Sequence, residues 1–564
     1  VKKYVLLFLI AVIIGTVLAL HNPQETSQAN TPTSAWIIFG HIFDTQDQPI
    51  KNATIVLHNL SNGDELSSGT TQSDGSFEII LDIRPQSQLL LTVKRSHFED
   101  FEISLDSDQI SELQSSKTLV LHDIILERHI GAAFWAATAV FSIVLVFIAT
   151  GKLHNTLSSL MGMAVLFAIN YLGPLISEEL HIFDFDAALS YVDWNVVFLI
   201  MGMMMFIAVV EGTGIFQWLA FMAYRISGGR MWLLLPILMA IAGIASAFLD
   251  NVTTMLLMTP ITIQISLALG INPIALLMPQ VLASNVAGIS TLVGTPTNIL
   301  IGSYAGISFG DFLINLTPGV LLSMLGLVVY CEIIYRTDLK ASGTMPETLL
   351  GKLEERAQID EPEHLKKAGW VGSAMLLLFI FGENFHLVPA VTAMMGATAL
   401  LIWIKPDLEE MISAVDWTTL VFFITLFVVV GAVQEVGLIS AIATIISQMV
   451  GDNLVLAMIV IVWASAILST VIANIPFTAA MLPVVAFLTK TIPGANSLVL
   501  FYSLSVGSAM GGNGSLIGAS ANMVTSGIAE RAGYSITYVY FFKKGFPALL
   551  ITVVLATIWL MIRF

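Results

Sequence analysis

The stretch Leu249-Asp250-Asn251-Val252-Thr253-Thr254-Met255-Leu256-Leu257-Met258-Thr259-Pro260 sets amides, hydroxyls and a proline inside an apolar run. A shift of 223 residues brings Ala473-Asn474-Ile475-Pro476-Phe477-Thr478-Ala479-Ala480-Met481-Leu482-Pro483 onto it, Asn251 on Asn474 and Pro260 on Pro483. The same shift lays Val192-Asp193-Trp194 on Val415-Asp416-Trp417 and Gly214 on Gly437. One residue further out of step, Gly294-Thr295-Pro296-Thr297-Asn298 falls on Gly518-Ala519-Ser520-Ala521-Asn522. Chance apolar similarity does not hold so many polar, Gly and Pro positions in one frame. The chain contains an internal repeat.

Composition gives the repeat its setting. Of 564 residues 56% are apolar and 11% charged, against about 25% charged in an ordinary soluble domain. A fully soluble protein is excluded. A net charge of −17 argues against nucleic acid as a partner, because phosphate needs a basic face. The single cysteine, Cys331, excludes a disulfide framework and any Cys-rich zinc site.

Outward from the repeat, the chain divides by composition. Residues 1–20 read as an N-terminal transmembrane anchor or signal segment, and Leu18-Ala19-Leu20 is a poor cleavage site. Residues 21–34 are a polar linker. Alternating runs between 35 and 127, separated by Asn62-Gly63-Asp64, Ser73-Asp74-Gly75 and Arg84-Pro85, predict a small β domain. Its segments Gly40–Thr54 and Ser73–Phe77 resemble carboxypeptidase-regulatory-like sandwiches. Asp44, Asp47 and Asp74 read as solvated turn residues before they read as calcium ligands.

Apolar spans then run near 132–150, 153–176, 194–211, 274–312 and 316–336, giving repeat 1 over 130–336. A charged linker covers 337–369. Repeat 2, over 370–564, has spans near 370–386, 389–404, 417–434, 496–533 and 546–562. The interrupted stretches 231–270 and 453–490 read as re-entrant hairpins. Basic residues mark cytoplasmic loops: Lys152, Arg225, Arg230, the linker, Lys405, Lys543 and Lys544 share that side, and the acidic loop Ser177–Asp193 faces out. With the anchor this makes eleven spans and two hairpins. The repeats come out inverted, the pattern of a secondary transporter. The expected fold is an all-α polytopic membrane protein with inverted repeats, two hairpins and two broken helices, plus a small all-β extracytoplasmic sandwich domain.

Helix breaks inside hydrocarbon occur where they line a cavity or are buried in protein. Gly294-Thr295-Pro296 breaks one helix; Gly511-Gly512-Asn513-Gly514-Ser515 with Gly518-Ala519-Ser520 breaks the other. Freed carbonyls and hydroxyl or amide side chains can replace the hydration shell of Na⁺, and helix N-termini can receive an anion. The substrate and ion residues expected are Asp250, Asn251, Thr253, Thr254, Gly294, Thr295, Pro296, Asn298, Asn474, Pro476, Thr478, Gly512, Asn513, Ser515, Gly518, Ser520 and Asn522. Asn251, Asn298, Asn474 and Asn522 are the Na⁺ candidates. Asp250, at a hairpin tip where the repeat has Ala473, is the candidate proton or cation ligand. Glu211 and Glu435 are candidates for a relay or gate, while Asp311 and Glu332 look peripheral. No Lys, Arg or His stands in the tips or breaks, there is no HExxH or Walker motif, and no His lies near Ser515 or Ser520 to activate a nucleophile. A non-enzymatic carrier driven by a gradient is expected.

These strings resemble the ion transporter superfamily, in the group of arsenite permeases, NhaD-type sodium/proton antiporters and the P protein. The string Gly511–Asn522, continued by Gly527–Glu530 and Phe541–Pro547, is most similar to the P protein branch. The resemblance covers about 130–564 and implies a scaffold and a transport domain, with substrate between the tips and unwound helices. Ser-Asn-Thr tips of distant divalent-anion symporters are replaced here by Asp250-Asn251-Val252 and Ala473-Asn474-Ile475. The P protein branch would carry Asp at both tips, and Ala473 departs from that.

The expected activity is ion-coupled movement of a small inorganic or carboxylate anion, or arsenite, across the plasma membrane, with Na⁺ or H⁺ as coupling ion and no cofactor. A Na⁺/H⁺ antiporter is the alternative. A membrane-anchored receptor using the β domain is the alternative of another class. The bilayer is a partner, and a homodimer is compatible with the sequence.

Overall fold

A computed structural model describes residues 35–340 and 358–564, apart from Gln46, Ser61, Asn62, Ile83 and 85–87. The anchor at 1–20, the linker at 21–34, residue 62 of the first turn, residue 85 of the third, and 341–357 of the central linker lie outside the described residues. The described residues form two compact units, divided after Ala133.

The first unit stacks two sheets. Its strands are β1 (Trp36–Asp44), β2 (Thr54–Asn59), β3 (Glu65–Thr70), β4 (Ser76–Leu81), β5 (Leu89–Lys94), β6 (Phe101–Ser104), β7 (Thr118–Val120) and β8 (Ile124–Leu126), and β4 shows the buried–exposed alternation most plainly. One sheet runs β4-β1-β7, with β8 also pairing β1, and the other runs β3-β2-β5-β6. Ile38, Ile55, Leu57, Ile79 and Leu91 fill the core. One helix, α1 (Ser107–Ser116), corrects the all-β reading: Asp106 and Gln109 form a capping box that starts it. Asp44 accepts from Gln48 N at 2.9 Å, and Asp74 accepts from the amide and hydroxyl of Ser76. The hydroxyl bond first, then the amide, holds the Asp74 carboxyl below its ordinary value.

Among the described residues, the second unit's regular elements are all helices. Repeat 1 comprises α2 (Ala132–Thr150), α3 (Asn155–Leu172), α4 (Phe185–Ser190), α5 (Trp194–Glu211), α6 (Ile215–Ser227), α7 (Met231–Phe248), α8 (Asn251–Ala268), α9 (Ile274–Ala287), α10 (Pro296–Ala305) and α11 (Phe309–Ile334). Repeat 2 follows element for element: α12 (Pro362–Phe381), α13 (Pro389–Ile404), α14 (Leu408–Ser413), α15 (Trp417–Glu435), α16 (Leu438–Val450), α17 (Leu454–Val471), α18 (Asn474–Thr491), α19 (Val499–Gly511), α20 (Ser520–Arg531) and α21 (Tyr538–Arg563). Equivalent helices differ by ten in their labels. Asp193 and Asp416 cap α5 and α15, and Gly214 and Gly437 start α6 and α16 at positive φ.

The inversion is visible in side-chain bonds. Trp559 Nε1 donates to Asn315 O (2.7 Å), Ser323 Oγ to Thr552 O (3.0 Å) and Tyr330 Oη to Lys544 O (2.7 Å). Numbers rise along α11 as they fall along α21, so these equivalent helices run antiparallel. Tyr191, just before α5, likewise donates to Glu435 at the far end of α15.

Ten described helices are long and apolar enough to cross a bilayer. Several boundaries shift from the sequence reading. Helix α10 ends at Ala305, capped by Gly306 at φ 66°, and α11 starts at Phe309 behind a Ser308–Asp311 capping box. Asp311, read as peripheral, starts that helix. Helix α12 begins at Pro362, inside the stretch read as linker, because its first two turns carry Glu363, Lys366 and Lys367. Helices α6 and α16 were not expected at all.

Candidate functional site at the helix breaks and hairpin tips

Each repeat builds its break from the same parts. Helix α9 passes through a tight turn at Gly288–Ser290 into an irregular bend at 291–295 whose end residues, Thr291 and Thr295, are extended. Helix α19 does the same through Gly512–Gly514, into a bend whose end residues are Ser515 and Ala519. Thr295 has φ −143°, ψ 143°, and Ala519 has φ −142°, ψ 142°. Pro296 enforces that geometry on its predecessor in repeat 1; repeat 2 reaches it with Ser520 in the proline's place. Glycine is required because the two sides of each break touch. A Cβ on Gly294 would collide with Gly288 O, and one on Gly518 would lie 2.9 Å from Gly512 O.

The released carbonyls are taken up by two buried amides. Asn298 Nδ2 donates to Ile289 O (2.9 Å) and Thr291 O (2.8 Å). Asn522 Nδ2 donates to Gly512 O (2.8 Å) and Ser515 O (2.9 Å). Each break is also pinned to its own hairpin. Thr291 Oγ1 donates to Ala247 O at the end of α7, and Ser515 Oγ to Thr470 O (2.5 Å) at the end of α17. Asn298 and Asn522, expected as ligating or orienting groups, therefore spend both amide hydrogens on backbone.

Polar side chains then cross between repeats. Ser505 Oγ donates to Asn298 Oδ1 at 2.5 Å. Asn251 Nδ2 donates to Asn285 Oδ1 (2.7 Å), and Asn285 Nδ2 donates to both Asn513 Oδ1 and Asn522 Oδ1 (2.9 Å each). Asn513 Nδ2 returns to Leu282 O (3.1 Å). Helix α8 packs on α20, and α18 on α10, so each hairpin meets the broken helix of the other repeat.

The two tips differ. Asp250 caps α8: its Oδ1 accepts from Val252 N (2.8 Å) and Thr253 N (2.9 Å), and its Oδ2 from Thr253 Oγ1 (2.6 Å). Ala473 gives α18 no side-chain cap, and Pro476 has no N–H to offer. Asn474 is buried with no side-chain hydrogen bond among the described residues, and Thr478 Oγ1 turns back to Asn474 O (2.8 Å). Thr254 Oγ1 on α8 is buried without a partner.

Two expected residues stand apart. Glu211 is exposed at the end of α5, and Glu435 accepts from Tyr191. Asn285, Ser505 and Thr291 were not anticipated. A cavity of about 340 Å³ is bounded by Leu292 of the first break and Ile299 of α10 with Phe309, Phe379, Glu383 and His386, and no expected site residue lines it. It is not the site the chemistry marks.

Ten apolar spans, a repeat that inverts and paired broken helices make this chain a multi-pass membrane transporter. It belongs to the citrate transporter (CitMHS) family, whose pattern matches residues 145–507. An uncharacterized transporter of Mycobacterium bovis is 34% identical over 429 residues, covering 76% of this chain and 98% of that relative. The P protein of Homo sapiens is 30% identical over 531 residues, covering 80% of this chain and 62% of its own length. The resemblance to the ion transporter superfamily and its P protein branch holds. The solved Alcanivorax borkumensis YdaH transporter aligns over 76% of this chain and 98% of its own, at 13% identity and a TM-score of 0.49.

Proposed function

We propose that the chain is an ion-coupled secondary transporter moving a small inorganic or carboxylate anion, or arsenite, by alternating access. The observation that carries this reading is the amide chain Asn251–Asn285–Asn522, which ties a hairpin tip of one repeat to the break of the other. A ligand seated there would touch parts of both repeats, so its binding can favour one arrangement of them over another. The tips and breaks hold no cationic side chain. The anion is held by helix ends, amides, hydroxyls and a bound cation.

Asp250 is the coupling group. Protonation of its carboxylate, or Na⁺ on it, competes with the three donors that now fix the start of α8. Loading the ion and reshaping the tip are then one event. The basic-residue distribution supports a plasma-membrane protein with the β domain extracytoplasmic. Na⁺/H⁺ exchange is the second reading, favoured by Asp250 as the sole tip carboxylate.

Counterflow in proteoliposomes, with arsenite, phosphate, acetate, succinate and citrate in turn, tests the proposal. Accumulation of at least one of these supports it. Na⁺-driven proton release with no anion counterflow selects the second reading instead.

A further inference from the structure

The tips are equivalent in backbone and unlike in chemistry. Both hairpins put the N-terminus of an 18-residue helix at the tip, α8 and α18. Such an end carries about half a positive charge and unpaired N–H donors. At α8 the seat is already taken, because the Asp250 carboxylate accepts two backbone N–H bonds there. At α18 no side chain caps the end. A second difference points the same way. Asn251 opens α8 and is 5% exposed with its amide donating to Asn285, whereas Asn474 opens α18, is 6% exposed, and has no side-chain partner among the described residues. The Asn474 amide stands beside that uncapped helix end, with none of its own hydrogen bonds among the described residues to give up on receiving a ligand.

We infer that the Asp250 carboxylate occupies at α8 the place that a ligand oxyanion takes at α18, so that the site accepts a substrate with one anionic head, held by the α18 end and Asn474. The inference rests on the anion reading above and narrows its substrate class. A second carboxylate on the substrate would meet Asp250 instead of a free helix end, and like charges repel. The pair Asp250 and Ala473 thus sets specificity: one tip carries its own anion and the other waits for one.

The test is to give the second tip its own carboxylate. Ala473→Asp places a favourable N-cap where the ligand would sit. Binding is read as ligand-induced thermal stabilisation of the full chain in nanodiscs, with acetate, succinate and citrate as probes. Wild type should respond to acetate at concentrations no higher than those needed for succinate or citrate. Ala473→Asp should fold, and its acetate response should weaken by about tenfold or more, as expected when a helix-end donor set is occupied. Asp250→Ala opens the other end and should shift preference towards succinate, which keeps the idea testable if Ala473→Asp does not fold. Acetate binding unchanged in Ala473→Asp overturns the assignment while leaving anion transport intact. So does a strong wild-type preference for succinate or citrate. A wild type that no anion stabilises overturns this inference together with the anion reading.

Discussion

Asn285 Nδ2 donates to Asn522 Oδ1 at 2.9 Å across 237 positions of sequence, from the unbroken half of one interrupted helix to the break of the other. Asn285 also receives Asn251 and reaches Asn513. Four amides from both repeats are thereby held in one buried chain. Asn285→Leu should strand three of them. Leaving buried polar groups unpaired costs about 1–3 kcal/mol each, so a lower melting temperature and loss of counterflow are expected together. A variant with wild-type melting and transport would remove Asn285 from the account.

Asn298→Leu and Asn522→Leu should each abolish transport. Because each amide satisfies two break carbonyls, both variants should also unfold at lower temperature. Transport that survives in both would return these positions to helix packing.

How far the sequence reached follows from which residues mark themselves. Gly, Pro and Asn interrupt apolar runs, so both breaks, both tips and the repeat frame could be read directly. Asn285 carried the amide signal but no glycine, proline or repeat-matched Asn beside it, and Ser505, a hydroxyl inside α19, has nothing local that separates it from a packing residue. Helices α6 and α16 have 13 residues each, about 20 Å at 1.5 Å per residue, too short for a ~30 Å core. Their amphipathic pattern was the available signal, with Gln217 and Arg225 on one and Ser440, Thr444 and Gln448 on the other. In the β domain, Asp106-x-x-Gln109 was a capping box hidden among strand signals.

Gly294→Ala should destabilise the protein by about 1–3 kcal/mol, the usual cost of overpacking, because the added methyl meets Gly288 O and Ser246 O. Gly306→Ala is the contrast. Its neighbourhood is open, and its cost comes from φ 66° alone. Thermal unfolding of the pair should place Gly294→Ala lower. The reverse order would contradict the packing described at the break.

Accessibility labelling tests the orientation. Cys331 is fully buried, so the native thiol should give little background. Cysteines at Asp74 and Asp184 should label from outside the cell and one at Lys366 only from inside. Labelling of Asp184 from the cytoplasm would invert the assignment of every loop.

The most direct measurement is uptake by reconstituted wild type and Asp250→Asn across series of pH and Na⁺ concentration. Asparagine keeps the shape and the capping ability of the side chain but removes the charge on which a proton and Na⁺ would compete. Asp250→Asn should fold, and its residual transport should no longer depend on pH or Na⁺. Wild-type ion dependence in Asp250→Asn would contradict it and make Asp250 a helix cap alone.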